Sequence, residues 1–148
     1  MPMDQVDFAL VGFDSITLLI PQRAIATIEM ITSLDAQSDV ENTVGSLSAT
    51  GKRWPVYALS ADFSLQSECP ATSKYCVAFD IDSQPAFAIT CDEVSSLMLT
   101  SSEKIFALQD CMRSAGSPFE GLLLRDDRVM FCSSEQAMHE FLMMDIAA

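Results

Sequence analysis

Short apolar runs separated by turn signals follow one another along nearly the whole chain, and they limit the fold more than any other feature. The central stretch Gly51–Leu59, GKRWPVYAL, is typical: a glycine and a short polar run predict a tight turn, and Pro55 opens a strand. Glycine suits turn conformations, and a proline is tolerated where a strand starts because no partner there requires its missing N–H. Strands joined by tight turns are typical of all-β barrels.

The same criteria predict the remaining strands. In chain order the predicted strands cover residues 6–13, 15–20, 44–48, 53–59, 75–81, 86–99, 119–124 and 129–132. The run 86–99 is predicted as one long, bent strand that continues past Asp92. Residues 24–31 fit either a helical stripe or strand alternation through Ala26, Ile28 and Met30, and we interpret them as a short helix or turn followed by a strand.

The last segment changes its period and predicts one helix. Ser133 and Gln136 have the spacing of a capping box, and apolar residues then recur at helical spacing through Leu142. We therefore predict an amphipathic helix over residues 134–143. It packs on a single domain, residues 1–148, whose halves meet near residues 66 and 67. Each half has about the strand count of a small five-stranded barrel.

Composition excludes several classes of function. The chain has 148 residues, of which 49% are hydrophobic, enough for a sizeable core. Its formal net charge of −13 disfavours binding to nucleic acid and to anionic membranes. No apolar run is long enough to cross a bilayer, so we expect no direct membrane insertion. The N-terminal residues lack the regions of a signal peptide, so a cytoplasmic location is expected.

Catalytic and metal-binding patterns are missing from the sequence. Cysteines occur five times without a CxxC pair, and His139 is the only histidine, so we expect no metal and no cofactor. Cys76, Cys91 and Cys132 lie in apolar runs typical of buried thiols. A cysteine-dependent enzyme using Cys132 and His139 is a remote alternative, because His139 falls on the polar side of the predicted helix. We expect no enzyme.

A set of motifs in fixed order resembles the CheW-like family of bacterial chemosensory adaptors. A hydrophobic hairpin over residues 8–21 comes first, and a glycine-initiated central strand, an Asp-x-Val element and a late glycine follow it. The matching positions are Gly51, Pro55, Val56, Leu59, Asp92, Val94 and Gly121. The motifs span most of the chain, from about Phe8 to Leu142.

The resemblance implies a fold and a function. The family consists of two intertwined five-stranded SH3-like barrels with a C-terminal helix. Its members catalyse nothing: they couple the cytoplasmic domains of chemoreceptors to a CheA-type histidine kinase through differential binding. Three positions around the central strand depart from the family pattern, namely Thr50, Ala58 and Ser60. These departures motivate an alternative, a CheW-fold regulator outside ordinary chemotaxis, such as a pilus or biofilm regulator or a decoy.

One group of residues in the central stretch is a candidate for partner binding. Lys52 and Arg53 form the only adjacent basic pair, and Trp54 is the only tryptophan. Tryptophan and arginine are enriched where interfaces contribute most of their binding energy. An aromatic residue in the barrel core is the alternative for Trp54. Tyr57 shares a strand face with Leu59 and is expected to pack inward.

Overall fold

The chain folds mainly into β-strands. A computed structural model describes residues 7–13, 16–37, 40, 42–59, 65–98, 106–107, 121–125 and 128–147. The strands are β1 (Asp7–Phe13), β2 (Ile16–Pro21), β3 (Ile25–Met30), β4 (Gly45–Ala49), β5 (Lys52–Leu59), β6 (Leu65–Gln66), β7 (Tyr75–Ile81), β8 (Gln84–Cys91), β9 (Glu93–Met98), β10 (Phe106–Ala107), β11 (Gly121–Arg125) and β12 (Arg128–Cys132). One helix, α1 (Glu135–Ala147), follows them.

The strands form two curled sheets. The terminal sheet has the order β10-β11-β12-β2-β1-β9, and the central sheet has the order β3-β7-β8-β5-β4, with β6 paired to β5. Most neighbours are antiparallel, but β12 with β2 and β5 with β8 are parallel. The predicted all-β class, the intertwined barrels and the C-terminal helix are confirmed. The division of the chain into halves near residue 66 stays a prediction.

Side chains are buried on both faces of β1, β2, β5, β7 and β8. In β7, Val77 and Phe79 contact a core between the sheets, whereas Cys76 and Ala78 face a second core against the central sheet. In β2, Ile20 contacts the core between the sheets and Leu19 a third core within the terminal sheet. We call these the inter-sheet, central and terminal cores. A strand that is apolar on both faces reads as a continuous hydrophobic run, as this sequence does.

The inter-sheet core contains the largest cluster of buried side chains and includes residues from both sheets. Phe79 and Phe87 lie directly opposite each other on β7 and β8, with ring centroids 4.9 Å apart. Helix α1 adds Met138 and Leu142, which are fully buried. Tyr57 also packs inward here, as predicted, and is 1% exposed.

Helix α1 starts one residue later than the capping prediction implies. The Ala137 N–H donates to Ser134 Oγ at 3.1 Å, so Ser134 is the N-cap and Ser133 is not. Ser133 instead donates its backbone N–H to the Leu19 carbonyl at 2.9 Å, which ties the end of β12 to β2. In the part of the chain that the structure describes, no helix has the length and hydrophobicity needed to cross a bilayer.

The predicted long strand over residues 86–99 is wrong in one respect. The segment is divided at Asp92 into β8 and β9, which belong to different sheets. The Asp92 N–H donates to the Gly12 carbonyl at 2.7 Å, so the chain joins the terminal sheet as soon as it leaves the central one. Sequence periodicity cannot detect such a change of sheet, because alternation continues on both sides of it.

Pro55 lies inside its strand and not at its start, because β5 already begins at Lys52. Pro55 lies opposite Ser46 of β4. On the other side, the parallel pairing with β8 is formed by Val56 and Tyr57, just after the proline. The missing N–H therefore falls before that ladder begins, which makes a proline tolerable in this interior strand.

Two glycines of the central sheet meet different requirements. Gly51 has a φ of 78° and follows Thr50 with a φ of 52°, so the two residues form the tight turn predicted between β4 and β5. Gly45 is required by close packing, since a Cβ there would lie 2.1 Å from the Asp35 carbonyl oxygen. Asp35 and Ser46 exchange two backbone hydrogen bonds at 2.8 and 2.7 Å, which cover part of the β4 edge.

Replacing Tyr57 by phenylalanine tests the packing of the inter-sheet core. The Tyr57 hydroxyl is buried and has no hydrogen-bond partner among the described residues, and burial raises the pKa of this side chain. We expect Tyr57→Phe to leave the free energy of unfolding unchanged or to raise it by about 1 kcal/mol. Urea denaturation measures this, with Tyr57→Ala as a control that loses about 3–5 kcal/mol. A Tyr57→Phe protein less stable than wild type by over ~1 kcal/mol would contradict the prediction.

Candidate functional site

Edge strand β3 exposes the apolar side chains that its alternation would normally bury. Ala26 is exposed, Ile28 is 43% exposed and Met30 is 60% exposed. Ile28 pairs with Val77 of β7 and Met30 with Tyr75, so both side chains lie on the face that elsewhere contacts the inter-sheet core. The register shifts between Ile25 and Thr27, so Ala26 has no partner on β7, and we call Ile28 and Met30 the β3 surface. It is the open margin of the main hydrophobic core.

A groove of about 420 Å³ lies beside the β3 surface. Ile25 and Ile28 line one side of it, and Val94, Ser95 and Ser96 of β9 line the other. The groove thus runs between an outer strand of the central sheet and an outer strand of the terminal sheet. None of the described residues that line it is charged, so a ligand would make apolar contacts and neutral hydrogen bonds with them.

A second apolar surface lies on the other sheet. Leu124 of β11 and Val129 of β12 are directly opposite each other and are 58% and 48% exposed. We call this pair the hairpin surface. Single exposed aliphatic side chains are common on soluble proteins, whereas contiguous exposed apolar patches mark contact sites.

Trp54, proposed from the sequence as an exposed anchor, is instead 1% exposed and lies in the central core. Its indole Nε1–H donates to Asp80 Oδ1 at 2.9 Å, and Lys52 Nζ donates to Asp80 Oδ2 at 3.0 Å. The ring shares its cluster with Ala78 and Ala88, two small residues on adjacent strands that leave room for it. Trp54 therefore holds the central sheet together, which is the core alternative stated for it.

Arg53 is 56% exposed in its side chain and holds a neighbouring segment. Its Nε and one terminal nitrogen donate to Ser46 Oγ at 3.0 and 2.8 Å, and that nitrogen also donates to the Gln37 carbonyl at 3.3 Å. Asp35 Oδ2 lies 4.0 Å away. The guanidinium thus fixes residues 35–37 against β4. Lys52, Arg53 and Trp54 all make internal contacts, and partner binding by the exposed parts of Lys52 and Arg53 stays a prediction.

The family-motif residues fall at structural positions. Val56 and Leu59 are buried in the central and inter-sheet cores, Gly121 is buried opposite Cys132, and Val94 lines the groove. Gly51 and Pro55 serve the turn and strand described above, and Asp92 marks the crossing between sheets. Of these residues only Val94 adjoins the β3 surface.

Cys132 and His139 contact different cores. Cys132 is 6% exposed in the terminal core, whereas His139 is half-buried and stacks on Phe87 of the inter-sheet core at a centroid distance of 6.0 Å. The sequence predicted that His139 lies on the polar side of the helix, but its ring stacks on an apolar core residue. Among residues that the structure describes, no three His, Cys, Asp or Glu side chains form a group that could hold a metal ion.

The buried thiols are held in their neutral form. Burial, with smaller contributions from Cys69 and Glu29, raises the pKa of Cys76 to about 11. Burial also raises the pKa of Cys91 to about 12, with smaller contributions from Cys76 and Asp92. Because the thiolate is the reactive form, these two cysteines act as small apolar residues, as predicted from the sequence. Cys111 lies outside the described residues.

Truncating Asp80 tests whether Trp54 acts through the core. Asp80→Ala leaves the buried indole N–H without its acceptor, so we expect it to cost about 1–3 kcal/mol in the free energy of unfolding. Lys52→Ala removes only a part-exposed ion pair and should cost less than about 1 kcal/mol. Asp80→Asn, which keeps an acceptor oxygen, should fall between them. Equal losses for Asp80→Ala and Lys52→Ala in urea denaturation would show that the indole bond does not matter.

The similarity of this chain to known proteins is found in its fold and not in its sequence. No protein-family model matches the sequence, and no curated protein matches it. The fold is similar to a solved structure described as the scaffolding protein TtCheW from Thermoanaerobacter tengcongensis. Sequence identity is 14%, the match covers 87% of this chain and 88% of that chain, and the TM-score is 0.67. This chain therefore has the CheW-like fold that the order of its sequence motifs implied.

Proposed function

We propose that this protein is a non-catalytic adaptor that couples the cytoplasmic domain of a chemoreceptor to a CheA-type histidine kinase. The observation that carries the proposal is the CheW-like fold, which matches a scaffolding protein over 87% of the chain. Two further features support it. The described residues contain apolar surfaces suited to protein partners, and the chain's only histidine stacks on a phenylalanine ring of the inter-sheet core.

An adaptor must hold two partners at once, and the two apolar surfaces suit that requirement. The β3 surface belongs to the central sheet and the hairpin surface to the terminal sheet. Each partner would occupy one of them, so that binding of the first leaves the second surface free. The uncharged groove beside β3 further suits an apolar helix, which binds by laying its apolar face into such a groove.

The energies are of the size that a signalling contact needs. Fully burying an isoleucine or methionine side chain contributes about 1.5–3 kcal/mol, and Ile28 and Met30, which are 43% and 60% exposed, would each contribute about half of that. A micromolar dissociation constant corresponds to about 8 kcal/mol. Ile28 and Met30 together would therefore supply about 2–3 kcal/mol of a reversible, micromolar contact, and the rest would come from the groove beside them. An adaptor transmits a signal only if that contact differs in strength between signalling states of its partner.

Charged substitutions on the two surfaces test the proposal. Ile28→Glu and Val129→Glu each place a carboxylate at the centre of one surface, where an apolar partner would have to desolvate it. We expect each variant to weaken binding to one partner at least tenfold and to leave binding to the other unchanged. Calorimetric titration with the cognate kinase's adaptor-binding domain and with a receptor cytoplasmic fragment measures both affinities.

Gln84→Glu provides the matched control, because Gln84 is exposed on β8 and the change adds the same charge away from both surfaces. It should bind both partners like wild type, and all three variants should unfold at the wild-type urea concentration. A wild-type protein that binds neither partner would overturn the proposed function. Wild-type binding by both surface variants would overturn the assignment of the surfaces only.

A second candidate is a CheW-fold regulator outside ordinary chemotaxis. Ala58 is fully buried in β5 at a position where the family pattern has an aspartate, so the family's carboxylate is absent from a packed site here. Thr50 in the β4–β5 turn and Ser60 depart as well, and Ser60 lies outside the described residues. Neighbouring genes discriminate between the two candidates, since a complete chemosensory gene cluster would count against this one.

A further inference from the structure

Met30 is the most exposed member of the β3 surface and lies at the C-terminal end of that strand. It is 60% exposed, more than any other large hydrophobic side chain that the structure describes. Met138 is fully buried and Met130 is 5% exposed, so both are protected from solutes. Met143 on α1 is 39% exposed but does not belong to either apolar surface. Accessibility to small oxidants therefore differs sharply among these methionines.

A thioether is oxidised by peroxide without first losing a proton. The sulfur lone pair attacks hydrogen peroxide, an S–O bond forms, the O–O bond breaks, and water leaves, so that methionine becomes methionine sulfoxide. The buried thiols of this protein react less readily. At neutral pH a thiol with a pKa of about 11, such as Cys76, is ionised in roughly one molecule in ten thousand. Burial in the central and inter-sheet cores thus slows oxidation of Cys76 and Cys91, while Met30 is open to attack.

Oxidation at this position would change recognition and leave folding intact. The sulfoxide is polar, and burying it against an apolar partner without a hydrogen-bond donor costs free energy. The side chain is exposed in the free protein, so the same group costs little there. The change would thus affect the complex and not the isolated chain.

We propose that Met30 is a peroxide-sensitive modification site whose oxidation weakens docking at the β3 surface. The docking half of this inference rests on the proposed function, whereas the modification half does not. Reduction of the sulfoxide by a methionine sulfoxide reductase, with two thiols oxidised to a disulfide and water released, would restore the surface. Signalling contacts at this surface would then respond reversibly to peroxide.

The first arm of the test needs no partner. The full chain is treated with dilute hydrogen peroxide, and the sulfoxide at each methionine is followed over time by peptide mass spectrometry. We expect Met30 to be oxidised at least tenfold faster than Met138 and Met130, while Cys76 and Cys91 stay reduced and the urea midpoint does not move. Equal rates at Met30 and Met138 would overturn the modification site.

The second arm measures affinity for the partner whose binding Ile28→Glu weakens. We expect oxidation to raise the dissociation constant about tenfold, equivalent to about 1.4 kcal/mol. Met30→Leu removes the sulfur, so its dissociation constant after peroxide treatment should equal its own value before treatment. Met30→Gln should bind as weakly as the oxidised protein.

Outcomes separate the two proposals. Loss of binding by Met30→Leu on peroxide treatment, as large as the wild-type loss, would show that another residue is responsible and would overturn the inference. Failure of the untreated protein to bind either partner would overturn the proposed function and the docking half with it. The mass-spectrometric rates would still decide whether Met30 is a selective modification site.

Discussion

The inter-sheet core is the constraint on which the rest of this structure depends. Strands of both sheets and helix α1 contribute to it, and the same strands bury their other faces in the central or terminal core. A shift of one residue in any of these strands would exchange the residues of two cores at once. Register is therefore fixed from both sides, more strongly than in a sheet with one solvated face.

The two edge strands of the central sheet, β4 and β3, differ in how far other residues cover them. Along β4, the Asp35–Ser46 bridge and the Arg53 guanidinium cover backbone and side chains that would otherwise be free to pair. Proteins commonly protect sheet edges in this way, because open edges associate with other chains. Strand β3 has no comparable cover among the described residues and exposes Ile28 and Met30 instead. A hydrophobic surface left open at one edge of a sheet whose opposite edge is protected is more consistent with partner binding than with imperfect packing.

The sequence was informative where a residue's role is set locally. The Thr50–Gly51 turn, the strand over residues 75–81 and the buried thiols follow from alternation and turn chemistry, and the structure has them where predicted. The sequence could not show which residues that are distant along the chain come together in the fold. Tryptophan is a residue type enriched at interfaces. Only the hydrogen bond from the Trp54 indole to Asp80 of β7 shows that this residue belongs to a core. Likewise, the alternation of Ala26, Ile28 and Met30 indicates a strand, but their exposure follows from β3 being the outer strand of its sheet.

The order of strands in the two sheets has a consequence for how the chain folds. Strands β3 to β8 are consecutive and form the central sheet, whereas the terminal sheet joins β1 and β2 from one end of the chain to β9–β12 from the other. Along the sequence, the strands of the central sheet thus lie between the two groups of strands that form the terminal sheet. Closing the terminal sheet requires contacts of long sequence separation, whose loop entropy is high until the inserted segment is compact. Folding would then begin in the middle of the chain, and the pairing of β1 with β9 and of β2 with β12 would set its rate.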